Sequence, residues 1–180
     1  AIVLFFVPTP ESSQVHCDAE AVPTQFGRVL SNINLLRLDL GIFVLHLIIT
    51  SVFLAVPLAL RDYVGMESGS HWKIYLPVLL LSILFMVPFI VIAERRNKMK
   101  PVFLGAVLAL VLAQSSLYLW HGSLAGLLFA LVLFFSAFNL LESILPSIVS
   151  KVSPVASKGT AMGVYSTSQF AGAFVGGVTG

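Results

Sequence analysis

The residue best placed to do chemistry is Glu142. It lies nine positions before Lys151 in an otherwise apolar stretch, so roughly 13 Å of helix would separate the two. A carboxylate that deep in hydrocarbon is costly, faces a cavity or a partner, and tends to hold its proton near neutrality. Those are the attributes of a proton carrier. A protonated Glu that fixes helix packing, or one that reaches the cytoplasmic interface, would read the same way. Asn139 and Pro146 flank Glu142 at i−3 and i+4 and suggest a polar, kinked wall. His46 has Thr50 at i+4 and Pro57 at i+11 on a similar face, and it is entered from the same side at comparable depth. If their helices are neighbours, His46 and Glu142 form a pair that titrates near neutral pH. If not, His46 is a hydrogen-bonded packing residue.

Other polar groups stand at membrane depth. Gln114 is followed by Ser115 and Ser116, and Tyr165 and Gln169 share a face at i and i+4 beside Ser166. Gln114, Asn139, Tyr165 and Gln169 are candidate cavity residues, although hydrogen bonding between helices accounts for such side chains equally well. Phe129, Phe134, Phe135 and Phe138 gather near Glu142, which suits a cavity for lipophilic cargo or a lipid-facing surface. Gly172, Gly176 and Gly180 fall at i, i+4 and i+8, a spacing that lets two helix backbones approach closely.

Enzyme signatures are missing. The chain has no His-Glu-x-x-His, no Gly-x-Ser-x-Gly and no phosphate-binding loop ending in Lys-Ser or Lys-Thr. Ser68, Ser70 and His71 share one loop, but no orienting partner accompanies them. Asp18, Asp39 and Asp62 fall outside the charge-free runs and far apart, which leaves Glu142 as the one carboxylate expected at membrane depth. No catalytic residue, metal or cofactor is expected, and the single Cys17 excludes a disulfide scaffold.

The elements that must hold these residues follow from where charge is absent. Only 10% of the 180 residues are charged while 58% are hydrophobic, against about 25% charge in soluble domains. Leu40–Leu60, Ile74–Ala93, Pro101–Leu141 and Gly159–Gly180 carry no Asp, Glu, Lys or Arg. One membrane-spanning helix takes roughly 20 apolar residues. The first two runs give spans near 40–60 and 74–93. The third is too long for one helix and is interrupted at Trp120-His121-Gly122-Ser123, giving a hairpin of spans near 102–119 and 124–149. The last gives a span over 159–180. Residues 1–7 read as the end of a preceding span and 8–39 as a linker. Its Phe26, Val29, Leu30, Ile33, Leu36 and Leu40 follow helical spacing, which predicts either an interfacial helix or a plain lead into the next span. The chain therefore reads as a piece of a longer polytopic protein. Eight of the ten Lys and Arg residues fall on one side of this topology, which the positive-inside rule makes cytoplasmic. The net charge of +2 offers nothing to nucleic acid.

The cytoplasmic loop Glu94-Arg95-Arg96-Asn97-Lys98-Met99-Lys100 resembles the acidic-Arg-x-Gly-Arg-Lys motif of the major facilitator superfamily, in its weaker copy between spans eight and nine. Glu94 stands at the acidic position and Arg95 and Lys98 at basic ones, where they would latch one conformation. Asn97 replaces the turn Gly, and Ile90 replaces the upstream Gly. Phe138-Asn139-Leu140-Leu141-Glu142 with Leu145-Pro146-Ser147, and Lys158 to Phe170, are similar to spans ten and eleven of drug/proton antiporters in that superfamily. The resemblance runs from the end of span six through most of span eleven. It implies an all-α membrane fold of two six-helix halves, with 40–180 in the C-terminal half. It also implies alternating access in a bacterial inner membrane. The partners it implies are protons, a small-molecule substrate, the bilayer and the N-terminal half of the same protein. The expectation is a proton-coupled efflux antiporter for small lipophilic molecules. An importer or uniporter of the same fold, or a non-transporting scaffold or receptor, is the alternative.

Overall fold

The computed structural model describes residues 23–180, and among these the regular structure is entirely helical. A turn of 3₁₀ helix, Pro23–Gln25, leads into α1 (Phe26–Leu30). Five long helices follow: α2 (Ile33–Asp62), α3 (Trp72–Arg95), α4 (Met99–Trp120), α5 (Leu124–Val152) and α6 (Lys158–Thr179). The span end expected over residues 1–7, and the linker as far as residue 22, lie outside the described residues.

Four helices, α2 to α5, are long and apolar enough to cross a membrane. α6 has 22 residues, but Gly, Ser and Thr dilute its apolar character and it falls outside that set. α2 begins seven residues before the charge-free run. Its cap is Asn32, whose side chain accepts a hydrogen bond from the Asn34 N–H at 3.0 Å, satisfying a donor the helix cannot. Residues 33–39 are therefore the first turns of α2, and the apolar spacing from Phe26 is broken at Ser31-Asn32 into two helices. Asp39 lies inside α2 and is 6% exposed: a helix end is set by capping, not by the last charge.

α5 is the centre. It packs against α2, α3, α4 and α6, and half of its apolar window is buried, against 17–22% for the other three apolar helices. A helix apolar on all sides is one that neighbours surround. Phe134, Phe135 and Phe138 are buried in this packing, whereas Phe129 is 56% exposed.

Two connections are tight. At the α4–α5 hairpin the Ser123 side chain accepts from the Gly126 N–H at 3.0 Å, and a Cβ at Gly126 would collide with Trp120. At the α3–α4 turn Asn97 adopts φ 50°. The Lys98 N–H bonds to the Ala93 carbonyl at 3.0 Å and the Asn97 N–H to that of Glu94 at 3.3 Å. This double closure is a Schellman cap, and Asn tolerates the left-handed conformation it demands.

α2 and α6 run parallel and lie against one another. A Cβ at Gly172 would strike the backbone of Phe43, one at Gly176 that of Leu47, and one at Gly180 the Ser51 Cα at 2.8 Å. The glycine stripe thus sets the register of α6 on α2, and the Ser51 hydroxyl donates across to the Gly176 carbonyl at 3.3 Å.

Candidate functional site

That register brings three side chains together. His46 of α2, Glu142 of α5 and Gln169 of α6 converge where α2, α5 and α6 meet. The amide nitrogen of Gln169 lies 2.8 Å from His46 Nε2 and 3.2 Å from Glu142 Oε1. His46 Nε2 and Glu142 Oε2 stand 3.9 Å apart. The imidazole is 14% exposed and the carboxylate 35%, with the Phe138 ring walling His46 at a centroid distance of 5.8 Å.

The hydrogen positions follow from the acceptors. His46 Nδ1 is 3.3 Å from the Ile42 carbonyl oxygen, which can only accept, so Nδ1 carries the hydrogen. The Gln169 amide nitrogen faces both Nε2 and Glu142 Oε1, and it donates to Nε2 when that nitrogen carries a lone pair. Glu142 Oε2 is buried without a hydrogen-bond partner, an acceptor position facing His46.

Tyr165, one turn before Gln169, is 3% exposed and its hydroxyl has no partner. It lies within electrostatic reach of both Glu142 and Asp39. Asp39 has an unpartnered buried oxygen of its own. A charge count could not reveal Asp39. Its spacing of seven from His46, which places both on one face of a helix, was the signal available.

The remaining sequence candidates are dispersed. Asn139 donates to the Ser82 hydroxyl of α3 at 3.1 Å, so it joins α3 to α5 rather than facing Glu142. Ser82 is fully buried. Gln114 has an unpartnered amide nitrogen and lines a separate cavity of about 410 Å³ between α2, α4 and α5, with Leu47, Ser51 and His121. A larger apolar groove of about 820 Å³ opens between α3 and α4 on the opposite face of α5, with Phe85, Phe89 and Phe129 among its walls. Glu94, Arg95 and Lys98 are exposed, and among the described residues none of them forms an ion pair.

The family profile described as Major Facilitator Superfamily matches residues 1–177. The chain is 42% identical over 180 residues to the inner membrane transport protein YajR of Escherichia coli (strain K12), an alignment covering 100% of this chain and 39% of that protein. It is 29% identical over 179 residues to an uncharacterized transporter of Buchnera aphidicola subsp. Baizongia pistaciae (strain Bp), covering 98% of this chain and 45% of the relative. The chain thus spans less than half the length of these curated relatives. No solved structure matches it significantly. With nearly its whole length matched and an all-helical fold of apolar helices, this chain belongs to the Major Facilitator Superfamily of multi-pass membrane transporters, which are not enzymes.

Proposed function

We propose that the chain is part of a proton-coupled antiporter of the bacterial inner membrane, one that expels small lipophilic molecules by alternating access. His46 and Glu142 are its proton site. The observation that carries this reading is the single Gln169 nitrogen bonded to both His46 and Glu142. It ties α6 to α2 and α5, with Nε2 as the acceptor when it has no proton.

A proton on Nε2 removes the acceptor that Gln169 uses and puts an imidazolium 3.9 Å from Glu142 Oε2. At an effective dielectric near 20, opposite charges at that separation attract by about 4 kcal/mol. A neutral hydrogen bond of the kind lost contributes about 1 kcal/mol. On this reading the ion pair displaces Gln169, provided its attraction exceeds the desolvation cost of a buried pair. Proton binding therefore replaces a three-helix tie with a two-helix one, which frees α6 to move. The reverse change restores the tie. In the complete protein, cargo would bind between this half and the N-terminal half, and the Glu94–Lys98 loop would find its latch partner there. The relative named as an inner membrane transport protein supports the membrane assigned. The aromatic and apolar surroundings of the site support lipophilic cargo.

The test uses the full-length protein in everted vesicles with an imposed pH gradient, a pH-sensitive fluorophore and ethidium as the lipophilic probe. Ethidium should draw protons through the wild type and not through Glu142→Gln or His46→Ala. Wild-type proton movement in both variants would sink the reading. Ethidium movement in the wild type that ignores the gradient would point to a uniporter instead.

A further inference from the structure

The apolar groove between α3 and α4 has a charged mouth. One wall runs along α3 from Leu81 to Ile92 and the other along α4 from Pro101 to Ala109, with α5 as the floor and Lys98 lining the end at the α3–α4 turn. The α3 wall rises roughly 16 Å at about 1.5 Å per residue. That is about half of a hydrocarbon core roughly 30 Å thick, the depth of one leaflet. The volume of about 820 Å³ falls within the roughly 300–1,000 Å³ of pockets that hold small molecules. Small residues leave this space open. Gly105 of α4 and Ala137 of α5 face it, and a Cβ at Gly105 would meet nothing within 4 Å. Phe85, Phe89 and Phe129 stand half-exposed along it. The groove therefore opens on the outside of three helices that are each apolar enough to cross a membrane, where such helices meet lipid.

The mouth is cationic. Arg95, Arg96, Lys98 and Lys100 are accompanied only by Glu94 within residues 94–100. All five are exposed, and among the described residues none of them forms an ion pair. Lys151 of α5 comes to the same end, its Nζ 3.4 Å from the Met99 Sδ, and it too has no carboxylate among the described residues. The basic residues make this end cytoplasmic, and the cytoplasmic leaflet carries the anionic lipids. A Lys at such a place lays its alkyl stem on apolar surface and keeps its ammonium at headgroup level. A soluble anion has no use for an apolar channel, and a zwitterionic lipid leaves the surplus of positive charge unbalanced.

We propose that this groove binds one anionic phospholipid of the cytoplasmic leaflet, with an acyl chain against Gly105 and Ala137 and the phosphate held by Lys98. The site lies on the opposite face of α5 from His46 and Glu142, and it does not depend on their reading as the proton site. Basic pockets between spanning helices at the cytoplasmic side suit anionic headgroups, and here the pocket continues into a channel of leaflet depth.

Native mass spectrometry of the purified full-length protein, titrated with phosphatidylglycerol or with phosphatidylcholine of the same chains, counts the lipids retained. The wild type should hold phosphatidylglycerol more tightly. Lys98→Ala should weaken that lipid by about fivefold, the contribution of one Lys near a charged membrane surface, and leave phosphatidylcholine unchanged. Gly105→Leu places a side chain in the groove and should weaken both lipids. Lys73→Ala removes a cation at the other end of α3 and should match the wild type. Equal losses of phosphatidylglycerol in Lys98→Ala and Lys73→Ala would reduce the effect to overall charge and overturn the site. Wild-type retention in Gly105→Leu would overturn the groove as the seat of the chain. A wild type that retains neither lipid would mean that another part of the full-length chain fills the groove, and would also overturn the proposal.

Discussion

Along the seam of α2 and α6, backbone touches backbone; where α3 and α4 lean on α5, side chains fill the space. The seam is made of Gly172, Gly176 and Gly180 against Phe43, Leu47 and Ser51, with no bulk to adjust. On the other face of α5, Leu, Val and Phe side chains interlock, and α3 and α4 diverge to leave the apolar groove. Lipid tails are as apolar as Leu, so helix association in a bilayer depends on close packing and polar contacts rather than on the hydrophobic effect. The seam uses both devices at once, and the His46–Gln169–Glu142 cluster lies where it meets α5. Close backbone contact fixes the register of α6 on α2, which the proposed proton switch requires. The groove side is held by apolar packing and by the Asn139–Ser82 hydrogen bond.

Gly172→Leu should give the largest effect. Its side chain has to displace the backbone of Phe43, which cannot rotate away, so α6 is forced off α2 and Gln169 leaves His46 and Glu142. A loss of about 3 kcal/mol or more is expected, read as a fall in the unfolding temperature of the purified full-length protein. The matching change on the other side, Gly105→Leu on α4, meets nothing within 4 Å of its Cβ and should stay within about 0.5 kcal/mol. Equal costs at the two sites would erase the contrast.

Gln169→Leu tests the seam's chemistry without disturbing its shape. His46 and Glu142 remain adjacent, but α6 is no longer tied to them. Protons should cross vesicle membranes without cargo, seen as decay of an imposed gradient in the absence of ethidium. Ser136→Ala, at the groove, removes a hydroxyl satisfied by the Val132 carbonyl of its own helix and should leave the gradient intact.

These contrasts also show what the sequence made legible. Charge-free runs locate helices because hydrocarbon excludes charge, and the glycine spacing announces a close contact because nothing else explains three small residues on one stripe. Asn97 can be read as a turn residue because so few side chains accept its backbone. What partners the stripe could not be read, since register between α2 and α6 arises only when two backbones dock. For the same reason Gln169 reads as one of several polar candidates, and Asn139 reads with Glu142 although it bonds to Ser82. Asp39 escapes a count of charges because a charged residue next to an apolar run is assigned to the boundary, whereas capping at Asn32 carries the helix past it.

The groove side has one buried polar contact among the described residues, and it offers a smaller test. Ser82 is buried and accepts from Asn139 while donating to the Leu79 carbonyl at 2.8 Å. Ser82→Ala strands the Asn139 amide, which should cost about 1–3 kcal/mol. Replacing both, with Asn139→Leu as the partner change, removes the stranded group and should recover part of the loss in a double-mutant cycle. Simple additivity would mean that the two residues act independently, and that the groove side is held by apolar packing alone.

The smallest expected effect lies at the α3–α4 turn. Asn97 holds φ 50°, a conformation that costs a residue with a Cβ roughly 1–2 kcal/mol and costs Gly nothing. Asn recovers part of this through its short polar side chain, so Asn97→Gly should stabilise by about 0.5 kcal/mol and Asn97→Val should destabilise by more than that. Both changes leave the two hydrogen bonds of the cap available, since Lys98 and Asn97 donate through their backbones. The unfolding temperature should therefore move upward for Gly and downward for Val, while the pH response of the His46–Glu142 site stays constant. A turn that only joins helices behaves so. If Asn97→Val instead alters the pH response at unchanged helix content, then the turn positions Glu94, Arg95 and Lys98 for a partner, and the groove side shares in the switch that the comparison assigns to the seam.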